Sequence, residues 1–453
     1  MENPERPRLL SLEKIRNSLT LKLILLGFVF LVLLIPLAMT GHQRSVRARR
    51  AAEAETEVSA KWGGRQTVTA PVMYIRLIRM LESKNGPTEK RGCLCVLPEK
   101  LDITGTLVPE LRYRGIYPVL LYRARISFTG VFAAPPLERA FKEGWKLAPE
   151  PPTLQFGLSD IKGITGFRFN FGSRDLKFVP GSALFRHGVH CEIPPFAAGA
   201  AAPVNLGIPP FAAGAAAPVN FGGQLELNGC RELLFQPVGE NFTLKVDSVW
   251  PHPSFTGGFL PVTRTVTEKG FRAEWKINEV NRTYPQFWFG NDHSFDRGNE
   301  VGVALVQTTN AYRRIERVGD YAVLIIVIVL AAFLVGEKAA KIWIHPLQYL
   351  FAGLSLVMFY LLLLALSEHI GFGLGYLASA AAVTALCTGY ALAIFGGRKV
   401  PALLLGGVVA LAYALIYLLV RMEDYALLAG SAVLLVLLAL VMKFTGHMNR
   451  KSE

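Results

Sequence analysis

Glu368 and His369 are neighbours whose side-chain types could carry proton chemistry. A carboxylate beside an imidazole offers an acid and a base, and ionisable groups at the mouth of a long apolar run are candidates for a proton- or ligand-linked site. The plainer reading, that both mark a helix end in the headgroup layer, is favoured. His345 precedes Pro346 at the start of that apolar run. Proline suits a first helical turn because its missing N–H is not needed there, so a helix-start role takes precedence over chemistry. Trp250 and His252 fall in the segment WPHPSF; His252 either contacts a partner or belongs to a rigid turn beside a buried Trp250, and the turn is the simpler account.

Other chemistry is sparse. Of the five cysteines, Cys93 and Cys95 sit in a strand-like CLCVL run. That spacing puts them about 6.5 to 7 Å apart on one face, awkward for bridging each other. Pairing with Cys191 or Cys230 remains open in an oxidising compartment, although unpaired cysteines are the preferred reading, and Cys387 falls in an apolar run. Their spacing fits no standard zinc site, and there is no phosphate-cradling glycine loop or G-x-S-x-G turn. GFGLG at Gly371 to Gly375 opens an apolar helix with no strand before it, which suits helix packing better than dinucleotide binding. No catalytic residue, cofactor or metal is expected.

The elements that must position these residues are set by hydropathy. Leu23 to Thr40 is an isolated run of eighteen uncharged positions. It is long enough to cross a hydrocarbon core of about 30 Å. It exceeds a usual signal core and ends in a poor cleavage site, so a retained anchor is expected. Five more runs close the chain, roughly Tyr321 to Val335, Leu347 to Leu366, Phe372 to Phe395, Pro401 to Val420 and Tyr425 to Met442, separated by EKAAKIWIHP, SEHIG, GGRK and RMED. Lipid offers the backbone no hydrogen bonds, so six transmembrane helices are expected, with both termini on one side. Lys338, Lys341, Arg398, Lys399 and Lys443 would then lie in the inner loops and tail against Arg421 outside, which puts the termini in the cytoplasm. These C-terminal spans carry no charge well inside, an argument against an ion-coupled transporter.

Between the first and second spans the pattern becomes that of half-buried strands, as in LRYRGIYPVLLYRARISFTGVF (Leu111 to Phe132). After a helical stalk over His42 to Trp62, a mostly β, antiparallel periplasmic domain is expected, in two lobes divided near Pro149 to Pro152. Asp102 to Gly105, Asn228-Gly229, Gly257-Gly258 and Glu268 to Gly270 read as turns. The implied fold class is an α+β membrane protein with residues 1–22 cytoplasmic, 23–40 the first span, 41–318 exported, 319–443 a five-helix domain and 444–453 a cytoplasmic tail. One segment is odd: IPPFAAGAAAPVNLG (Ile193 to Gly207) is followed at once by IPPFAAGAAAPVNFG (Ile208 to Gly222). Two copies cannot build a repeat architecture, so this reads as a tolerated loop insertion. The net charge of +14 is largely topological, sitting at helix ends, and no nucleic-acid partner is implied.

Three segments are distinctive: Ser248 to Trp288, His345 to Phe372, and EDYALLAGS at Glu423 to Ser431. With VLPEKLDITGTLVPELRYRGIYPVLLYRARISFTG (Val96 to Gly130), LNGC (Leu227 to Cys230) and YRRIERVGDYAVLI (Tyr312 to Ile325), they resemble the CreD family of bacterial inner-membrane proteins, collinearly over nearly the whole chain. The duplication, the Cys93/Cys95 pair and Cys230 depart from the family pattern. The resemblance implies a two-component-regulated, non-enzymatic role in cell-envelope integrity, with effects on colicin tolerance and no established reaction. Membrane lipids and a periplasmic or inner-membrane protein are the implied partners. The alternatives are a membrane-embedded enzyme on lipid or cell-wall precursors using Glu368 and His369, and a transporter or receptor component whose periplasmic domain binds a ligand.

Overall fold

The structure is a computed structural model that describes residues 19–422 except 84–85, 194–217, 291–294, 296–297 and 308–310, and six positions between 428 and 442. Among the described residues there are six α-helices: α1 (Leu19–Trp62), α2 (Leu137–Lys142), α3 (Ala311–Asp320), α4 (Ala322–Ala340), α5 (Pro346–Ile394) and α6 (Lys399–Arg421). Four of them, α1, α4, α5 and α6, are long and apolar enough to cross a membrane. The chain divides into two compact units, one of residues 1–50 and 309–453 and the other of residues 51–308.

In the helical unit, α5 is two helices. Gly371 adopts φ 78°, ψ 163°, a conformation that favours glycine, and the chain reverses there. Gly375 lies against Ser367, and Ser355 Oγ is 3.0 Å from Cys387 Sγ. Both pairs are centred on residue 371; in a straight helix the second pair would be about 48 Å apart at about 1.5 Å per residue. The expected SEHIG connector is therefore almost wholly helical, with the turn concentrated in one residue. Small residues admit the neighbours: Gly353 lies against Leu33 of α1, and Gly406 of α6 lies against Thr388. Gly407 has open space beside it. Of the sixth expected span, Leu428, Gly430, Ser431, Leu435, Ala439 and Met442 are helical, and the rest lies outside the described residues.

The other unit holds two sheets over one core. The larger runs in the order Pro253–Gly257, Val301–Leu305, Glu232–Phe235, Gln66–Ser83, Thr153–Leu158, Gly188–Glu192, Val179–Pro180, with Gly86–Val96 and Lys146–Leu147 also paired to Gln66–Ser83 and Phe287–Phe289 paired to Gly86–Val96. The smaller runs in the order Thr263–Thr267, Gly270–Asn278, Asn241–Ser248, Lys100–Arg114, Tyr117–Phe132, Val219–Cys230, Ile164–Phe171, Arg174–Leu176. Alternation fixes which face of the smaller sheet is buried: Phe242, Leu244 and Val246, and beside them Phe271, Ala273, Trp275 and Ile277, point into the core. Across the core Phe128 meets Phe156 edge-on at 6.0 Å. Trp275 meets Phe255 at 5.8 Å, and such edge-on pairs add to the burial of the rings themselves. The end of α1 belongs to this unit, where Val58 and Trp62 pack on Val119, Leu121 and Cys230.

Several expectations are corrected. The sheets are not wholly antiparallel: Gln66–Ser83 pairs parallel with Glu232–Phe235, and Asn241–Ser248 with Lys100–Arg114. There is no division near Pro149 to Pro152, because strands from both sides of that point share both sheets and one core. Asp102 to Gly105 and Asn228-Gly229 lie inside strands, whose pairing overrides their local turn preference. The chain instead turns at Arg231, with φ 55°.

The duplicated segment is also more than a loop at its ends. Ile193 is buried at the end of the strand Gly188–Glu192, and Val219 to Gly222 open the strand Val219–Cys230. Phe221 packs against Phe132 at 5.2 Å and Phe169 at 5.6 Å. The two copies differ at that position, where the first has Leu206. Deleting Ile193–Gly207 leaves Ile208 and Phe221 to serve as the two anchors, and halving an insertion is worth only about 0.6 kcal/mol. Thermal unfolding followed by tryptophan fluorescence should be unchanged or slightly raised. Deleting Ile208–Gly222 puts Leu206 in the place of Phe221 and should lower stability by about 1–3 kcal/mol.

Candidate functional site

The ionisable side chains of the helical unit gather at its two ends. At one end α1 carries Lys22, and α4 carries Glu337 in its last turn; the two form an ion pair, with side chains only 9% and 4% exposed. Tyr349, one turn into α5, donates its hydroxyl to the other oxygen of Glu337 at 2.6 Å. Lys22 Nζ also stands 5.7 Å from the ring centroids of Trp343 and Tyr349, where the ring faces attract a cation. It lies 3.5 Å from the Ile344 carbonyl. A buried charge is tolerated only when paired and hydrogen-bonded, and this carboxylate has a partner on each oxygen.

Sequence reasoning misses this cluster, because it assigns Glu337 to a connector. The helix continues to Ala340, so Glu337 belongs to its last turn and not to the connector. The available signal is a lysine just before the first apolar run and a glutamate just after the second, opposite charges at span ends that both termini on one side would bring together.

His345 lies close by in sequence as the N-cap of α5. Its Nδ1 accepts from the Leu347 amide at 3.2 Å. Its own amide donates to Gln348 Oε1 at 2.8 Å. The residue thus takes part in satisfying the free amides at a helix start. At the opposite end, Glu368 accepts from Arg47 of α1 at 3.3 Å, and Arg44 donates to the Ile315 and Glu316 carbonyls of α3. His369 is exposed. Successive helical residues point about 100° apart, and the structure does not bring Glu368 and His369 together as an acid–base pair. Glu423 and Asp424 lie outside the described residues.

In the sheet-rich unit Trp250 is half-buried, its indole N–H donating to the Val306 carbonyl at 2.9 Å. The His252 side chain is exposed, and its carbonyl accepts from the Val306 amide at 3.0 Å. Both residues thus fasten the strand Pro253–Gly257 to Val301–Leu305. None of the five cysteines forms a disulfide, and all five are buried. Burial pushes the Cys191 thiol up to about 12 and raises that of Cys230; hydrogen bonding with Cys93, together with burial, raises that of Cys95. These are neutral, shielded thiols, without the thiolate character that reactivity needs. Among the described residues no three His, Cys, Asp or Glu side chains are grouped to hold a metal ion.

A helical unit with braced ends joined to a sheet-rich unit is the arrangement on which relatives bear. A family model described as "Inner membrane protein CreD" matches residues 18–451. The chain belongs to the CreD family. The Escherichia coli (strain K12) protein named "Inner membrane protein CreD" is 30% identical over 451 residues, covering 96% of this chain and 94% of that protein. With its apolar helices, this makes the chain a multi-pass inner-membrane protein.

Two outcomes follow. Glu337→Ala strands Lys22 in a buried position and should cost about 3–5 kcal/mol, whereas the double change Lys22→Met with Glu337→Leu should recover most of that loss, read as thermal stability of the detergent-solubilised chain. Iodoacetamide at neutral pH should label Cys95, Cys191 and Cys230 only slowly in the native protein and fully after unfolding. Fast native labelling would contradict their burial.

Proposed function

We propose that this chain is a non-enzymatic inner-membrane protein of cell-envelope integrity and stress response, with six spans, cytoplasmic termini and the unit of residues 51–308 in the periplasm. The observation that carries the reading is the use of the membrane unit's ionisable side chains. Lys22–Glu337 and Arg47–Glu368 join α1 to the C-terminal helices at both ends, and His345 caps a helix. Charges committed to bracing favour a membrane part that holds and presents the sheet-rich unit over one that conducts an ion or runs a reaction. Family membership supports the envelope role. The short loops support the orientation, since the α4–α5 and α5–α6 connections carry Lys341 and Arg398, with Lys399 opening α6, while the reversal at Gly371 carries neither Lys nor Arg. Membrane lipids and a periplasmic or inner-membrane protein are the partners this role calls for.

In cells lacking the native copy, Glu368→Gln with His369→Ala loses the ion pair but keeps an amide oxygen that can accept from the partly exposed Arg47, so protein level should fall at most modestly and the envelope phenotype should be restored in proportion to the protein present; loss of phenotype at normal protein level would favour an enzyme built on that pair. A reporter active only outside the cytoplasm should work when fused after Thr256 and stay silent after Lys399. The reverse pattern overturns the orientation.

A further inference from the structure

The membrane unit contains a cavity of about 340 Å³ lined by Arg314, Phe372, Gly373, Tyr417, Val420 and Arg421. Three separate segments converge there: α3, the residues just after the Gly371 reversal, and the last turn of α6. Two of the lining side chains are arginines, and neither is in an ion pair with a described residue. Arg314 is held with its guanidinium 5.8 Å from the centroid of the Phe372 ring. Two guanidinium forks in one cavity are the arrangement that recognises a phosphate group, through paired charge-assisted hydrogen bonds.

The remainder of the wall says what the phosphate is attached to. Phe372 and Val420 are apolar, and Tyr417 offers a hydroxyl. Around the cavity residues along the helices, Ile370, Leu374, Leu377, Leu418 and Met422 are exposed, the composition of a face that meets hydrocarbon. The volume is at the low end for a binding pocket, suited to a headgroup and not to a whole lipid. Gly373 keeps the space open, since a Cβ there would stand 4.0 Å from the Tyr417 hydroxyl and a longer side chain would enter the cavity.

We propose that this cavity binds the phosphate headgroup of an anionic lipid, with Arg314 and Arg421 as its ligands and the lipid chains against the neighbouring exposed helix faces. The proposal does not depend on the envelope role or on which leaflet the cavity faces.

Full-length protein in neutral detergent is titrated with phosphatidylglycerol, with phosphatidylethanolamine and with inorganic phosphate, following the unfolding temperature and, by native mass spectrometry, the lipid retained. Phosphatidylglycerol should raise the unfolding temperature and be retained, with much weaker effects from the zwitterionic lipid and from free phosphate. Removing each arginine should weaken binding about ten-fold or more. Arg314→Gln with Arg421→Gln should abolish the shift, Arg314→Lys should keep part of it, and Gly373→Leu should abolish it with both arginines present. Arg125→Gln, an exposed arginine of the sheet-rich unit, should leave it intact. Should the double arginine variant fail to fold, Gly373→Leu still decides the matter. An undiminished shift in Gly373→Leu, or an equal response to inorganic phosphate, overturns the proposal, the latter in favour of a free anion.

Discussion

The helical unit depends on a constraint that lipid imposes: α1 must find its place among helices that follow it in the chain by some 280 residues, with no hydrophobic drive to bring helices together. Ion pairs at both ends of its span meet that need. Lys22 and Arg47 are separated by about 37 Å of helix at about 1.5 Å per residue, slightly more than a hydrocarbon core. One pairs with Glu337 at the end of α4 and the other with Glu368 near the reversal of α5. Between them the contact is made by shape, with Leu33 against Gly353. Charge sets the helix's depth, and small residues let it approach.

The sheet-rich unit meets its own constraint differently. Its strands lie between apolar core and water, so alternation suffices to select which face is buried. Aromatic contacts such as Phe128–Phe156 and Phe255–Trp275 tie one sheet to the other. Its parallel pairings come from strands far apart in sequence. The ion pairs Glu55–Arg231 and Glu57–Arg114, with Arg112 3.9 Å over the Trp62 ring, attach the last turns of α1 to these strands. The helix entering this unit is thereby fixed in rotation by several contacts around its circumference.

Properties that depend on local composition were legible in the sequence. Apolar run length marked the helices, and period-two alternation marked the strands around Leu111 to Phe132. Properties that depend on which segments meet were not. Asn228-Gly229 is a strong turn signal in isolation, yet pairing with Tyr122 and Arg123 holds it extended. Glu337 looks like a connector residue until Lys22 and Tyr349 are brought to it, since nothing in a linear run shows that a helix can carry a neutralised charge past its apolar end. Glu368 and His369 were legible as residue types in the right place, but their directions on the helix separate them. The duplication was visible at once, whereas the roles of Ile193 and Phe221 at its ends required the core to be seen.

The same reasoning bears on where the unit tolerates polar groups. The buried hydroxyls of Tyr360 and Tyr413 find no hydrogen-bond partner among the described residues, although the Tyr376 hydroxyl donates to the Tyr413 carbonyl at 2.7 Å. An orphaned hydroxyl in an apolar interior costs about 1–3 kcal/mol. The rings around them offset that cost, with Phe359 4.3 Å from Tyr413 and 5.1 Å from Tyr360. The charges that join α1 to its neighbours are treated differently. Lys22, Glu337, Arg47 and Glu368 are all placed within reach of an opposite charge near the ends of helices, because no amount of packing compensates for an ion left alone in hydrocarbon. The helical unit thus tolerates unsatisfied neutral groups inside while pairing the charges by which α1 meets its neighbours, and loss of either of those pairs acts on its assembly before it acts on any chemistry.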